Sequence, residues 1–419
     1  MRILMAGTTY APAFNGQAVF MTHLAERMNA SGHSVAVLAP SENGQQEDRV
    51  RNGVQIVRPS TLRLTHWHPD AAVPLVSGPV VENLFNRFHP QIVHIHDHYP
   101  LSWRVARAAR NRGLPVIGTN HFMPENLAPY LPLWKSGQPL YRAVLWRWML
   151  QLYNSLDFVT VQSRTAGEIL AGRGLRRPPR HISCGVDLAE FYVDDTVDQQ
   201  AVRRSFGLHP TAHLLLYVGR VDEEKRLDLL IHALARSGRM DCHLAVGGRG
   251  AALTALKELV TRLGLGERVH FLGYVPDGEK RNLLNSADIF TMPSDAELLS
   301  IATLEAMACG RPILAARAQA LPELVTEQEN GRLFRANDVD DAASVLADLI
   351  SHPQTWPGMG AASRRRAESH GWPGVLAGYT QLYEEAIQLS RVRSALAHGQ
   401  LRQEKLADKA RSFSVNRML

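Results

Sequence analysis

Short apolar runs recur along this chain with spacers long enough for one helix and too long for a hairpin turn, which is the pattern of parallel α/β sheets. In the first half the strand candidates are Arg2 to Ala6, Ser34 to Ala39, Val54 to Arg58, Ile92 to His96, Pro115 to Thr119 and Phe158 to Gln162. A second set begins at His213 to Val218 and continues with His243 to Val246, Val269 to Leu272, Ile289 to Met292 and Ile313 to Ala315. Between the sets lie His181 to Tyr192 and the acidic, polar stretch Asp194 to Gln200, where a domain boundary is expected. With 419 residues, each half is long enough to bury its own core. Parallel sheets bind ligands at the carboxyl ends of their strands, so two such domains facing each other would enclose a cleft lined by both sets of loops.

A hydrophobic content of 45% with 21% charged residues argues against disorder, and the net charge of +6 favours anionic partners. The three cysteines are widely spaced and odd in number, so no disulfide framework is expected and a reducing cytoplasm is the expected compartment. The start, Met-Arg-Ile-Leu-Met-Ala-Gly, reads as a first strand and not as a secretion signal. No apolar run reaches the eighteen or so residues of a membrane span. The last 29 residues carry seven Lys/Arg against two acids and read as a solvated helix or tail.

Two stretches carry the chemistry. Val218 to Leu230 places Arg220 and Lys225 just past a strand, and Pro293 to Pro312 places Glu297 and Glu305 around the start of a helix near Ser300. The first N–H groups of that helix lack internal partners and form an anion site, to which Arg220 and Lys225 would add charge. Two fixed cations suit a diphosphate leaving group without any metal. Glu305 suits the two hydroxyls of a ribose, and Glu297 the hydroxyls of a transferred sugar.

Other features are weaker. Gly247-Gly248-Arg249-Gly250 follows a strand and would let backbone approach a ligand. The loop Thr8 to Gln17 lacks the dinucleotide fingerprint, which weighs against a nicotinamide enzyme. Gly16 precedes a helix, where its N–H would face a phosphate from the other domain. His121, after Thr119 and Asn120, sits just past a strand end, the usual place for a functional residue. His94, His96 and His98 alternate, but ligands at that spacing on one strand lack the open geometry a metal needs. Asp97 beside them is a cleft candidate. Asp338 and Asp340 fit helix capping better than metal binding.

These motifs together resemble family 4 glycosyltransferases, retaining enzymes with two facing Rossmann-like domains, the GT-B architecture. The resemblance rests on Gly219-Arg220 with Lys225, on Glu297 with Glu305, and on Glu305-Ala306-Met307-Ala308-Cys309-Gly310-Arg311-Pro312. It extends to Cys184-Gly185-Val186-Asp187 with Phe191, and to Phe271-Leu272-Gly273-Tyr274-Val275. It implies a catalytic set of His121, Glu297, Arg220 and Lys225, with His121 contacting the 6-hydroxyl of the donor sugar or orienting the donor. The implied donor-binding set is Gly16, Arg220, Lys225, Val275, Leu299, Ser300 and Glu305, with Asp97 and Asn120 on the acceptor side. The implied co-substrate is a nucleotide diphosphate sugar, with no bound cofactor and no metal. The implied domains are residues 1–187 on the acceptor side and 188–370 on the donor side. A helix over 371–390 is expected to cross back to the first domain, ahead of a basic helical tail at 391–419. The chain departs from the family where Leu298-Leu299-Ser300 stands for Gly-Phe-Gly, and where Asn15-Gly16 stands for Gly-Gly.

The Glu-Leu-x-Ser-Ile variant resembles a branch containing bacterial membrane glycolipid synthases, which implies a lipid acceptor such as diacylglycerol. Pro129 to Tyr153 mixes Trp134, Tyr141, Trp146 and Trp148 with Lys135, Arg142 and Arg147. Such a segment suits an anionic membrane surface on the inner face, aided by Arg104, Arg107, Arg110 and Arg112. Three alternatives stay open: a sugar-nucleotide epimerase or hydrolase of the same architecture, a non-catalytic peripheral membrane protein, and a nucleic-acid binder. The last lacks a compact basic motif with interleaved aromatics, and no nucleic-acid partner is expected.

Overall fold

The computed structural model describes residues 1–13, 15–63, 72–74, 78–121, 123–124 and 138–415, with side chains at all but 63, 72–74, 138 and 397–415. It contains two α/β units, each built on its own sheet. The first sheet has eight strands in the order Arg180–His181, Phe158–Val161, Val116–Thr119, Ile92–Ile95, Arg2–Ala6, Ser34–Leu38, Val54–Arg58 and Glu47–Arg51. All neighbours run parallel except the last pair. The second has six parallel strands in the order Val269–Gly273, Cys242–Gly247, His213–Val218, Ile289–Met292, Ile313–Arg317 and Gly331–Arg335.

These strands form as the sequence pattern requires. His213–Val218 reads His-Leu-Leu-Leu-Tyr-Val and is buried on both faces, the mark of a parallel strand covered by helices. Helix starts are set by short polar caps. Asn15 accepts from the Ala18 N–H ahead of Gly16–Ala30, and Ser163 accepts from the Ala166 N–H ahead of Arg164–Gly172. Asp338 caps Val339–Ser351 through the Asp341 N–H, so the Asp338/Asp340 pair serves a helix start as expected.

In both sheets the first strand of the unit is where the strand order reverses. Arg2–Ala6 lies between Ser34–Leu38 and Ile92–Ile95, and His213–Val218 between Cys242–Gly247 and Ile289–Met292. Loops leaving adjacent strands diverge there and leave a crevice. Four loops of interest occupy these positions, residues 7–13 and 96–99 in one unit and 219–226 and 293–300 in the other, while His121 and Val275 follow strands further out in each sheet.

The final helix, Trp372–Val415, returns to the first unit. Trp372, Val375, Tyr379, Leu382, Tyr383 and Ala386 are buried with Ile3, Met5 and Phe20 in one apolar cluster. The Tyr379 hydroxyl lies 3.1 Å from Thr119 Oγ1 and 3.2 Å from Thr160 Oγ1, and Tyr383 bonds His94 Nδ1 at 2.9 Å. The linker is fixed as well: Val186 N–H donates to His370 O, and Trp372 N–H to Val186 O. Gly185 adopts φ +77°, and a Cβ there would meet the Trp372 ring at 2.7 Å. That glycine is required by close approach.

Candidate active site

On the second unit, the loop after His213–Val218 turns at Gly219, whose N–H donates to Gly247 O. Arg220 is ion-paired to Asp222 and to Glu224, the latter at 2.6 Å. Lys225 ends a short 3₁₀ turn, Glu223–Lys225, and its Nζ lies 2.6 Å from Glu297 Oε1 and 3.5 Å from Glu224. Burial alone depresses the Lys225 ammonium, but the carboxylates of Glu297 and Glu224 outweigh it and hold its pKa above the ordinary lysine value. The lysine is therefore charged across the physiological range. Sequence reasoning named both cations and Glu297; it missed Asp222 and Glu224, which hold the cations in place.

Ser300 caps the helix Ile301–Ala308 by accepting from the Thr303 N–H, so this terminus keeps its remaining N–H groups for an anion. Glu305, on the same helix, is buried and pairs with Lys280 at 2.5 Å. Burial raises the Glu305 pKa and Lys280 opposes the rise. Lys280 belongs to Asp277–Ser286, the helix that begins just after Val275. The spot expected to meet base and ribose therefore joins two helices through one ion pair. Val275 is itself buried, against Gly247, where a Cβ would lie 2.7 Å from its methyl group.

The glycine run 247–250 meets backbone. A Cβ on Gly248 would sit 1.8 Å from Gly219 O, and one on Gly250 would sit 2.2 Å from Val221 O. These glycines let two loops of the protein pack, which accounts for them without a ligand.

On the first unit the groups are uncharged or saturated. Asp97 is buried; its two oxygens accept from Thr8 N–H and Oγ1, Gln17 Nε2, Tyr99 N–H and Ser102 Oγ. It binds the loop after the first strand to two helix starts, and thereby organises the cleft wall from within. Asn120 is also buried, its N–H on Thr160 O and its Oδ1 receiving the Tyr153 hydroxyl at 3.3 Å. Gly16 opens the first long helix and is exposed, with nothing among the described residues within 4 Å of where a Cβ would stand, so packing against them does not demand a glycine there.

His121 is half-buried, and desolvation pushes its imidazole pKa down to about 3, so the ring is neutral. Its Nδ1 lies 2.9 Å from Gln162 Nε2 and its Nε2 lies 3.1 Å from His96 Nδ1. Burial also lowers His94 and His96 well below the usual histidine value. The alternating histidines thus serve hydrogen bonding: His94 joins Tyr383 to Thr119 and His96 joins His121. Gln162 was not singled out from sequence. Its position just past Phe158–Val161, at the same sheet edge as His121, was the available signal.

The apolar residues of the segment that departs from the family pattern bridge the units. Leu298 is buried in the cluster of the first unit that contains Met123 and Tyr153. Leu299 and Ile301 pack against the cluster of Phe20 and Trp372, and Phe20 touches His121 with ring centroids 5.0 Å apart. The start of the helix Ile301–Ala308 and the histidine of the opposite unit therefore share one apolar seam.

Residues 14–190 match a family model described as Glycosyltransferase Family 4, and residues 198–366 match one described as Glycosyl transferases group 1. A D-inositol 3-phosphate glycosyltransferase of Catenulispora acidiphila is 30% identical over 306 residues, covering 70% of this chain and 71% of that enzyme. The chain belongs to glycosyltransferase family 4. As a family 4 glycosyltransferase it is a transferase of two α/β domains. A sulfoquinovosyl transferase of Arabidopsis thaliana is 27% identical over 73% of this chain and 59% of its own length. Among solved structures, a sucrose-phosphate synthase from Thermosynechococcus elongatus superposes with a TM-score of 0.77 at 20% identity, over 93% of this chain and all of that one. An Anabaena HepE structure in complex with UDP-glucose gives 0.73 at 19% identity, over 93% and 99%. These two superpositions identify the fold as GT-B.

The proposed membrane segment is divided. Trp134 and Lys135 lie outside the described residues. Trp146, expected among the membrane-facing aromatics, is instead core: it is 5% exposed, with Arg173 stacked over its ring. Leu140, Val144 and Trp148 of Gln138–Tyr153 are exposed, as are Arg142 and Arg147. Among the described residues no helix is long and apolar enough to cross a membrane.

Proposed function

We propose that this glycosyltransferase moves a sugar from a nucleotide diphosphate sugar to a lipid hydroxyl, with retention at the anomeric carbon. The observation that carries the reading is the Lys225–Glu297 pair at 2.6 Å beside the helix start at Ser300. A diphosphate entering there competes for cations already aligned by Asp222, Glu224 and Glu297, so little reorganisation accompanies its arrival. As the glycosidic bond of the donor breaks, negative charge grows on the leaving diphosphate. Lys225, Arg220 and the helix N–H groups would stabilise it, which is the kind of electrostatic preorganisation that dominates many enzymes. Freed from Lys225, Glu297 would take hydroxyls of the donor sugar, and His121 its 6-hydroxyl. The acceptor hydroxyl would enter on the face that the diphosphate leaves, giving retention.

Support for a lipid acceptor comes from the exposed face of the first domain. The exposed Leu140, Val144 and Trp148 stand on a helix with exposed Arg142 and Arg147, and Arg104, Arg107 and Arg110 form an exposed row on Pro100–Asn111. Each cation near an anionic surface adds about 1 kcal/mol of attraction.

The test is thermal stability against UDP-, GDP- and ADP-sugars, then turnover of any hit with and without diacylglycerol-containing anionic liposomes. A donor at a hundred times its Kd stabilises by about 2.7 kcal/mol, a readable shift. Lipid-dependent glycoside with an α anomer from an α donor supports the reading. Donor binding with soluble acceptors only would remove the lipid, and an inverted product would remove retention.

A further inference from the structure

The two nitrogens of His121 are both engaged inside the protein. The Gln162 amide turns its Nε2 toward His121 Nδ1 at 2.9 Å and leaves its own Oε1 buried with no partner among the described residues; in this orientation Nδ1 accepts. The proton is then on His121 Nε2 and is donated to His96 Nδ1, 3.1 Å away. His96 in turn carries its own proton on Nε2, a fully buried atom with no acceptor among the described residues. His96 is fixed on its strand, its ring 4.0 Å from that of His94, which is itself bonded at both nitrogens.

We propose that Gln162 and His96 are positioning residues for the transfer reaction, a relay that keeps His121 in the tautomer able to donate from Nε2. This rests on the reading of His121 as a contact of the donor sugar. In the empty site His96 Nδ1 holds that N–H. When the sugar arrives, the N–H passes from His96 to the sugar oxygen while Gln162 keeps Nδ1 occupied. No covalent bond changes; one hydrogen bond is exchanged for another. Among the described residues, the titratable groups facing His121 are His96 and, behind it, His94, and Phe20 and Gln162 also touch the ring.

Gln162→Glu tests the relay with a sign. A carboxylate at Nδ1 accepts and cannot donate, so the neutral imidazole must move its proton to Nδ1 and present a bare Nε2. At lower pH the carboxylate favours the imidazolium, which restores an Nε2–H. With UDP-glucose as donor probe, or the ADP or GDP analogue if thermal shift selects it, the variant-to-wild-type ratio of kcat/KM should fall at least about fivefold between about pH 6.5 and pH 9. A ratio independent of pH overturns the proposal. Nitrogen-15 spectra of histidine-labelled protein without donor give a readout independent of activity, with the His121 signal assigned by its loss in His121→Ala. The wild type should show the Nε2–H tautomer and Gln162→Glu at high pH the Nδ1–H tautomer; the same tautomer in both overturns the proposal. His96→Asn retains an acceptor and should stay within about threefold of wild type, whereas His96→Leu should lose about tenfold in kcat/KM. Equal losses in those two variants count against the relay. If His121→Ala itself turns over normally, the underlying reading of His121 fails. If His121→Ala is inactive and Gln162→Glu follows the wild-type pH profile, the relay alone fails.

Discussion

The two walls of the candidate site are built on opposite electrostatic plans. On the second domain, Arg220, Lys225, Lys280, Glu297 and Glu305 are paired ions held at 2.5 to 2.6 Å or by adjacent carboxylates. On the first, His94, His96 and His121 are kept neutral by burial, and Asp97 is saturated by five donors. Paired ions can exchange partners when a charged ligand arrives, because the arriving anion replaces a carboxylate. A neutral network of internal hydrogen bonds does not exchange partners for charge; it holds direction. The donor wall is therefore suited to stabilising charge, and the opposite wall to orientation.

The strongest way to break this comparison is to remove a cation. Lys225→Ala should lower turnover at least about a hundredfold, in line with the roughly 3 kcal/mol typical for loss of one preorganised donor, while an unchanged far-ultraviolet spectrum reports a folded chain. Near-normal turnover would take Lys225 out of the mechanism. Glu305→Gln should be smaller, because it leaves Lys280 facing a neutral amide: nucleotide affinity should drop about tenfold by calorimetry, with much less change in kcat once the donor saturates.

The neutral wall should respond in stability before activity. Tyr383→Phe strips His94 Nδ1 of its partner in a fully buried place, and the expected cost is about 1–3 kcal/mol in denaturant unfolding, with kcat retained at low temperature. The smallest effect concerns the contact between domains. Glu323 accepts from the Arg164 and Thr165 N–H groups at the start of a helix in the opposite domain, at 2.9 and 2.7 Å. Burial works against the charge, yet these donors hold the Glu323 pKa below its ordinary 4.5. A depressed carboxylate contributes stability that is present above its unfolded pKa and lost as pH falls through the folded one. Below about pH 4.5, wild type should therefore lose Tm faster than Glu323→Gln; parallel curves would mean that the contact adds nothing.

The central parallel strands were legible because a strand covered on both faces must be apolar throughout, as Leu214, Leu215 and Leu216 are; the parallel edge strands Arg180–His181 and Gly331–Arg335, which carry charged residues, were not named. Glu47–Arg51 was not, because it is the antiparallel edge of its sheet, largely exposed and charged, with no pattern that a helix or loop could not also have. The cations and carboxylates of the site could be named from their spacing along the chain. Their partners could not: Lys280 meets Glu305, and Gln162 meets His121, only because separate strands end at the same edge. Gly247 to Gly250 misled in an instructive way. A glycine run records that something approaches closely, and here it is the backbone of Gly219 and Val221.

The return of the last helix to the first sheet has a consequence for biosynthesis. Tyr379 and Tyr383 complete the bonding of Thr119, Thr160 and His94, and Trp372 to Ala386 fill the groove against Ile3 and Phe20. A ribosome delivers these residues only after the whole second domain has emerged. The first domain must therefore wait, with part of its sheet uncovered, until that helix arrives. In a chain like this the half made first is finished last, and a chaperone that shields apolar surface would find its target on the amino-terminal side.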